Sequence, residues 1–157
     1  METSDDIRSA RALAEAYVAH CPRTQAEVVR RLRRAGYEDG TIKTVVDALA
    51  GADLLDDMAF AREWVESRSR SRKLGRVRLE AELRRKGVES DAIAEALAGL
   101  DGDAQAGRAL ELARGFIGSA DISDPAVRRR LAGYLQRRGH AWETIKQVLC
   151  DMAEKER

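Results

Sequence analysis

The chain has 157 residues, of which 35% are charged and only 4% are aromatic. Its 28 lysines and arginines nearly balance its 27 aspartates and glutamates, so the net charge of +1 identifies no class of partner. The hydrophobic content of 44% is enough to form a core and excludes a wholly disordered chain.

The sequence shows no sign of export or of membrane insertion. No apolar run approaches the roughly 20 residues that span a bilayer, and the start METSDDIRSA has neither a basic segment nor an apolar one. Cys21 and Cys150 are far apart and form no CxxC pair, which makes a disulfide framework unexpected. We therefore expect a cytoplasmic protein in a reducing compartment, with no membrane association.

An internal repeat is the strongest feature of the sequence. Three segments align without a gap, each with a leucine, a glycine four residues later, and two apolar residues six and ten positions after the glycine. They are Leu32–Gly36 with Ile42 and Val46, Leu83–Gly87 with Ile93 and Leu97, and Leu135–Gly139 with Ile145 and Leu149. The spacing predicts three domains, at residues 1–52, 53–101 and 102–157.

Each repeat is predicted to contain three helices. In the first repeat, helical spacing of apolar residues favours a helix over residues 7–19, and Thr24 with Glu27 has the form of a capping box that starts a second. Gly36 has the position of a left-handed C-terminal cap. A third helix is expected near residues 39–50.

The second repeat is the clearest and the third is the most divergent. Asp56 or Asp57 can cap the first helix of repeat 2, and Gly75 and Gly87 are interpreted as turns that end helices. In repeat 3, Asp124 followed by a proline is a strong helix start. Trp142 stands where the other repeats have a polar residue at the start of the third helix.

The predicted fold class is all-α, with three tandem three-helix repeats stacked into an elongated, curved solenoid. Alternating β-branched runs are absent and the apolar period is helical throughout. A single unit of this size would bury too little surface to be stable alone, which favours stacking.

Basic residues concentrate between Arg68 and Lys86, where nine lysines and arginines oppose only Glu80 and Glu82. The segments after Gly36 and Gly87 are acidic instead. Complementation of helix dipoles by solvated surface charge is one explanation for this segregation. The density of the basic cluster favours a second, in which it binds an acidic or phosphate-bearing partner.

The segment from Asp56 to Leu97 resembles the core signature of RecX regulatory proteins. The similarity rests on the Phe60-Ala61 pair, on Arg68, and on the Glu-Leu-Arg-Arg-Lys-Gly element that ends at Gly87. It extends to both flanks as three tandem three-helix units. The match is weakest in the third repeat, where Gly139 is followed by His140.

The resemblance implies a non-enzymatic modulator that binds the groove of the RecA filament on single-stranded DNA and lowers ATP hydrolysis, strand exchange and coprotease activity. It implies partner contacts for Arg62, Arg68, Arg76, Arg78 and Lys86. Charge density alone adds Arg70, Arg72, Lys73, Arg84 and Arg85. The glycines assigned to structural turns are Gly36, Gly75, Gly87 and Gly139.

Two other functions were weighed against this one. A plain nucleic-acid-binding protein would use the same arginines on phosphate, although stacking aromatics are scarce. An enzyme is disfavoured because phosphate-binding and nucleophile motifs are absent, and His20, Cys21, His140 and Cys150 have poor spacing for a metal. We expect a monomer with no cofactor, no metal and no small-molecule substrate.

Overall fold

The computed structural model describes residues 3–155, and within that range the chain forms nine α-helices and no strand. The helices are α1 (Ser4–His20), α2 (Gln25–Arg34), α3 (Asp39–Gly51), α4 (Asp57–Ser71), α5 (Arg76–Arg85), α6 (Ser90–Ala98), α7 (Gly102–Ile117), α8 (Pro125–Arg137) and α9 (Trp142–Lys155). The prediction of an all-α protein with three successive three-helix repeats is confirmed.

Local capping chemistry sets the helix starts. The Thr24 hydroxyl accepts from the Glu27 amide, and the Glu27 carboxylate accepts from the Thr24 amide, so the predicted capping box of α2 is present. A similar box at Thr3 and Asp6 starts α1 three residues earlier than expected. Asp56 rather than Asp57 caps α4, because its carboxylate accepts from the Ala59 amide at 2.9 Å.

Contacts divide the chain into two compact units, and the division runs through the second repeat. Unit 1 contains the described residues up to Arg62 together with Leu83–Ile93, and unit 2 contains Glu63–Glu82 together with the described residues from Ala94 onward. In unit 1, α1, α2 and α3 pack against one another. In unit 2, α7, α8 and α9 do the same.

The aligned apolar positions form the cores of these units. Leu32 and Leu83 are fully buried in unit 1, and Leu135 is fully buried in unit 2. The isoleucines that follow each glycine are also buried. The repeat pattern in the sequence is therefore the pattern of core packing.

Two apolar residues of the helices lie near the surface. Val77 is 57% exposed because it lies in the first turn of α5, where its backbone amide rather than its side chain makes the packing contact. Phe116 is partly exposed and stacks on Tyr134, with ring centroids 4.3 Å apart. Neither side chain is part of the buried core.

The glycine that ends the second helix of each repeat has a left-handed backbone. The φ angles are +91° at Gly36, +79° at Gly87 and +86° at Gly139. Gly75 differs, because Lys73 takes the left-handed conformation that ends α4, with φ of 51°. Position 75 requires glycine because its backbone lies close to the Gly139 carbonyl, and not because it forms a turn.

Candidate partner-binding surface

The ten basic residues that the sequence singles out fall into two sets. Unit 2 holds the set that we call the basic segment, which consists of Arg68, Arg70, Arg72, Lys73, Arg76 and Arg78. Unit 1 holds Arg62, Arg84, Arg85 and Lys86. Each set is described within its own unit.

Two backbone hydrogen bonds to the third repeat hold the middle of the basic segment in place. We call this contact, or clasp, the second junction. The Gly75 amide donates to the Arg138 carbonyl at 2.9 Å, and the Val77 amide donates to the Gly139 carbonyl at 3.0 Å. A Cβ atom at Gly75 would overlap the Gly139 carbonyl, and one at Gly139 would overlap Arg78. Two glycines therefore let two backbones meet at this point.

Side chains from the third repeat hold the same loop. Arg138 donates from Nη2 to the Arg72 carbonyl at 2.6 Å, and His140 donates from Nε2 to the Lys73 carbonyl at 3.0 Å. The Lys73 ammonium pairs with Glu111 at 3.2 Å. The α4–α5 loop is thus bound along its length, and the basic segment is displayed on an ordered backbone.

His140 is the residue of this clasp that sequence reasoning missed. The side chain is buried, and its Nδ1 atom has no hydrogen-bond partner among the described residues. Burial lowers the pKa of His140 and the positive charge of Arg138 lowers it further, while the hydrogen bond to Lys73 partly opposes them. In the sequence, His140 stands out as the one polar residue that follows a repeat glycine, a feature that was interpreted as a weak family match.

The head groups of the basic segment lie at the surface and are oriented by neighbours. The Arg68 guanidinium lies over the Trp64 ring, 4.2 Å from its centroid. Arg76 donates to the Leu97 carbonyl at 3.1 Å, where it caps the end of α6. Arg78 contacts Glu82 at 3.3 Å, an exposed pair that contributes little to stability.

In unit 1, Lys86 has an internal role. Its ammonium pairs with the Glu27 carboxylate at 2.9 Å, and the side chains of Lys86 and Glu27 are only 26% and 11% exposed. Burial acts to raise the pKa of Glu27, but hydrogen bonds from Lys86 and from the Thr24 amide, together with nearby positive charge, outweigh it and lower the pKa. Arg62, Arg84 and Arg85 are exposed instead.

The Lys86 pair is part of a second clasp, which we call the first junction. The Thr24 hydroxyl donates to the Lys86 carbonyl at 2.6 Å, and the Gln25 amide donates to the Asp57 carboxylate at 2.9 Å. A Cβ atom at Gly87 would overlap the methyl group of Ala26. Three of these contacts use side chains, so this junction depends on residue identity.

The described residues contain no group of three or more histidine, cysteine or acidic side chains that could hold a metal ion. No helix within residues 3–155 combines the length and the apolarity that crossing a membrane requires. What the structure displays is a basic surface on a tightly held backbone.

The fold defines an all-α protein with three related three-helix domains, and the structure displays a basic surface on it. Three family models match it in order: the first, second and third three-helix domains of RecX match residues 10–49, 56–97 and 103–149. The chain belongs to the RecX family of regulatory proteins.

Individual relatives agree over nearly the whole length. The chain is 40% identical to a regulatory protein RecX of Mycobacterium avium, over 99% of this chain and 93% of that one. It is 36% identical to the RecX of Mycolicibacterium vanbaalenii, over 98% and 90%. The crystal structure of RecX from Lactobacillus salivarius has the same fold, with a TM-score of 0.90 at 22% identity over 96% of this chain and 99% of that one.

Proposed function

We propose that this protein binds the filament that RecA forms on single-stranded DNA and restrains its extension. Bound along the filament groove, it would lower ATP hydrolysis, strand exchange and coprotease activity. Membership of a regulatory family supports this proposal. The basic segment supports it physically, because an acidic protein face or a DNA phosphate is the partner that such a surface attracts.

The observation that carries the proposal is the clasp that orders the basic segment. Long basic side chains lose conformational entropy when they bind, and so does a loop that must first become ordered. The second junction has already fixed the backbone between Arg72 and Val77 through four hydrogen bonds from the third repeat or to it. Binding then has only the side chains to immobilise.

We also propose a cellular setting and a domain organisation. The protein acts in the cytoplasm as a monomer with no catalysis of its own, and it takes part in the regulation of recombination and the SOS response. Its three domains have boundaries near residues 52 and 101. Arg62, Arg84 and Arg85 of unit 1 contribute further exposed cations, whereas Lys86 has a mainly structural role.

The proposal is tested by the rate of ATP hydrolysis by preformed RecA filaments on single-stranded DNA. The protein is added well below one copy per RecA protomer, and its affinity for the bare DNA is measured in the same buffer. We expect a steep fall in the rate at amounts too small to compete for the DNA. An unchanged rate together with tight, salt-sensitive DNA binding would instead identify a nucleic-acid-binding protein.

A matched pair of variants assigns the effect to the basic segment. In the first variant Arg68, Arg76 and Arg78 are changed to glutamine, and in the control Arg128, Arg129 and Arg130 are changed to glutamine. Both lose three positive charges from unit 2. We expect inhibition to weaken about tenfold or more in the first variant and by less than about threefold in the control. Equal losses would mean that total charge, not this surface, drives binding, and circular dichroism checks that both variants keep their helices.

A further inference from the structure

A small cavity in unit 1 has a strongly basic lining that the proposed function does not use. Its volume is about 210 Å³, and it lies between α1 and α2. The lining residues are Tyr17, Glu27, Arg30, Arg31 and Arg34. Three guanidinium groups from a single helix therefore surround one concave site.

These arginines have no carboxylate partner within residues 3–155, whereas Arg33 of the same helix pairs with Asp39 at 2.9 Å. Arg30 and Arg34 are four residues apart on α2, so their like charges repel each other and weakly oppose helix formation. An anion bound between them would remove this repulsion. The arrangement is costly in the absence of a ligand and favourable in its presence.

The one acidic residue in the lining is already neutralised. Glu27 accepts from the Lys86 ammonium and from the Thr24 amide, each at 2.9 Å, and its side chain is only 11% exposed. Its charge is thus balanced by groups of the first junction before any ligand arrives. The cavity retains a net positive charge from Arg30, Arg31 and Arg34.

A fourth guanidinium strengthens the positive potential. Arg23 lies over the Tyr17 ring at 4.3 Å from its centroid, and its charge contributes to lowering the pKa of Glu27. Its Nε atom is buried and has no hydrogen-bond partner among the described residues. A buried N–H donor without an acceptor is unfavourable. An anion bound nearby would offset the positive charge of the Arg23 guanidinium.

The size and the donor set limit what the cavity can hold. Pockets for drug-sized molecules have volumes of roughly 300 Å³ or more, so this one fits a single group rather than a whole nucleotide. Arginine forks match both carboxylate and phosphate. Three arginine forks provide more donors than two carboxylate oxygens can accept, and a phosphate group satisfies more of them.

We propose that the cavity lined by Tyr17, Arg30, Arg31 and Arg34 is a phosphate-binding site in the first repeat. It is separate from the basic segment and does not rest on the proposed function, because its test contains no RecA. The phosphate belongs either to a nucleic-acid backbone or to a free polyphosphate group. The two sources share the same chemistry at the site.

The test is calorimetric titration of the full chain with inorganic pyrophosphate at low ionic strength, in wild type and in two variants. Arg31→Gln removes a lining guanidinium, and Arg33→Gln removes the same charge from the same helix outside the cavity. We expect saturable binding to one site, weakened about tenfold by Arg31→Gln and by less than about twofold by Arg33→Gln. Equal losses, or binding that does not saturate, would overturn the proposal.

Two further measurements keep the result independent of folding defects and identify the source of the phosphate. Arg31→Lys retains the charge and loses the fork, so it should bind pyrophosphate with an intermediate affinity. Competition by a short single-stranded DNA would support a backbone phosphate, and its absence alongside tight pyrophosphate binding would support a free polyphosphate. An oligoglutamate that binds as tightly as pyrophosphate would refute the preference for phosphate.

Discussion

The first and second junctions perform the same task with different chemistry. In each, a left-handed glycine at the end of a repeat's second helix contacts the start of the second helix in the preceding repeat: Gly87 meets Ala26, and Gly139 meets Arg78. In the second junction the Val77 amide donates to the glycine carbonyl. In the first, the Thr24 hydroxyl donates to the Lys86 carbonyl and the Gln25 amide donates to the Asp57 carboxylate.

The difference shows which part of a junction the repeat conserves and which part varies. A close approach to the glycine is common to both, by the Ala26 methyl group in the first junction and by Arg78 in the second, and glycine is needed for it in both. The polar contacts around it are interchangeable, because a buried amide needs an acceptor but not a particular one. The three polar contacts of the first junction all use side chains, whereas two of the four hydrogen bonds of the second join backbone to backbone.

Replacing the packed glycine should have the largest effect on stability. Gly139→Ala introduces a Cβ atom that overlaps the Arg78 backbone and also strains a residue with φ of +86°. We expect a loss of at least about 3 kcal/mol in the free energy of unfolding, measured by urea denaturation.

Gly36→Ala is the matched control for this glycine. It has a similar φ of +91°, but no heavy atom lies within 4 Å of its added Cβ. Only the backbone strain of about 1 to 2 kcal/mol should remain. If the two variants lost equal stability, close approach at the junction would not be the reason for glycine.

Substitution of the residue before each junction glycine should have an intermediate effect on stability, and the size of the effect should differ between the two junctions. Lys86→Met leaves the Glu27 carboxylate nearly buried without its ammonium partner. We expect a loss of about 2 kcal/mol, below the range for fully buried pairs because Lys86 is partly exposed. Thermal denaturation of purified variants measures the change.

Arg138→Met is the equivalent change at the second junction. It removes one hydrogen bond to the Arg72 carbonyl and leaves the backbone bonds of Gly75 and Val77 in place. The expected loss is about 1 kcal/mol. A larger loss for Arg138→Met than for Lys86→Met would contradict the contrast between side-chain and backbone clasps.

The smallest effect is a pH dependence just below pH 6.5, which should arise from His140 in the second junction. The pKa of His140 in the folded state lies below the ordinary value of 6.5 because the ring is buried and Arg138 is close. Between these two values the unfolded chain binds a proton that the folded chain does not, so stability falls as the pH is lowered below 6.5. Above 6.5 His140 adds no pH dependence.

Urea midpoints measured from pH 7.5 down to pH 5.5 test this dependence, and His140→Gln is the comparison. The variant should lose the part of the slope that lies just below pH 6.5, where Glu27, whose pKa is lowered, remains ionised. Burial raises the pKa of Asp57, but this residue is present in both proteins and contributes equally to both slopes. An identical slope in wild type and variant would assign the dependence to another group.

Much of the fold could be predicted because its determinants are local. The Thr24–Glu27 capping box and the apolar positions around Leu32 act within a few residues, and the repeat displays them three times. The junctions could not be predicted in the same way. In the second junction the backbone donors and acceptors are more than sixty residues apart, and a backbone amide has no signature in the sequence.

The candidate surfaces were predicted in part. Charge density located the basic cluster, but it gave Lys86 the same standing as Arg70, although one is paired internally with Glu27 and the other with exposed Glu66 at the surface. The arginines of α2 are close together in the sequence, whereas the cavity beside them depends on how α1 packs. Gly75 was interpreted as a turn, whereas its close neighbour is the Gly139 carbonyl of the third repeat.

The open space beside Gly36 has an evolutionary consequence. In each junction the glycine belongs to the later of the two repeats and contacts the earlier one. A duplicated copy of a repeat would therefore contain the glycine with which it packs against the repeat before it. Gly36 already has the backbone conformation of Gly87 and Gly139 without any neighbour to meet. A helix-ending glycine selected for chain reversal could thus become a docking point as soon as another copy preceded it, and arrays of different length could arise by tandem duplication alone.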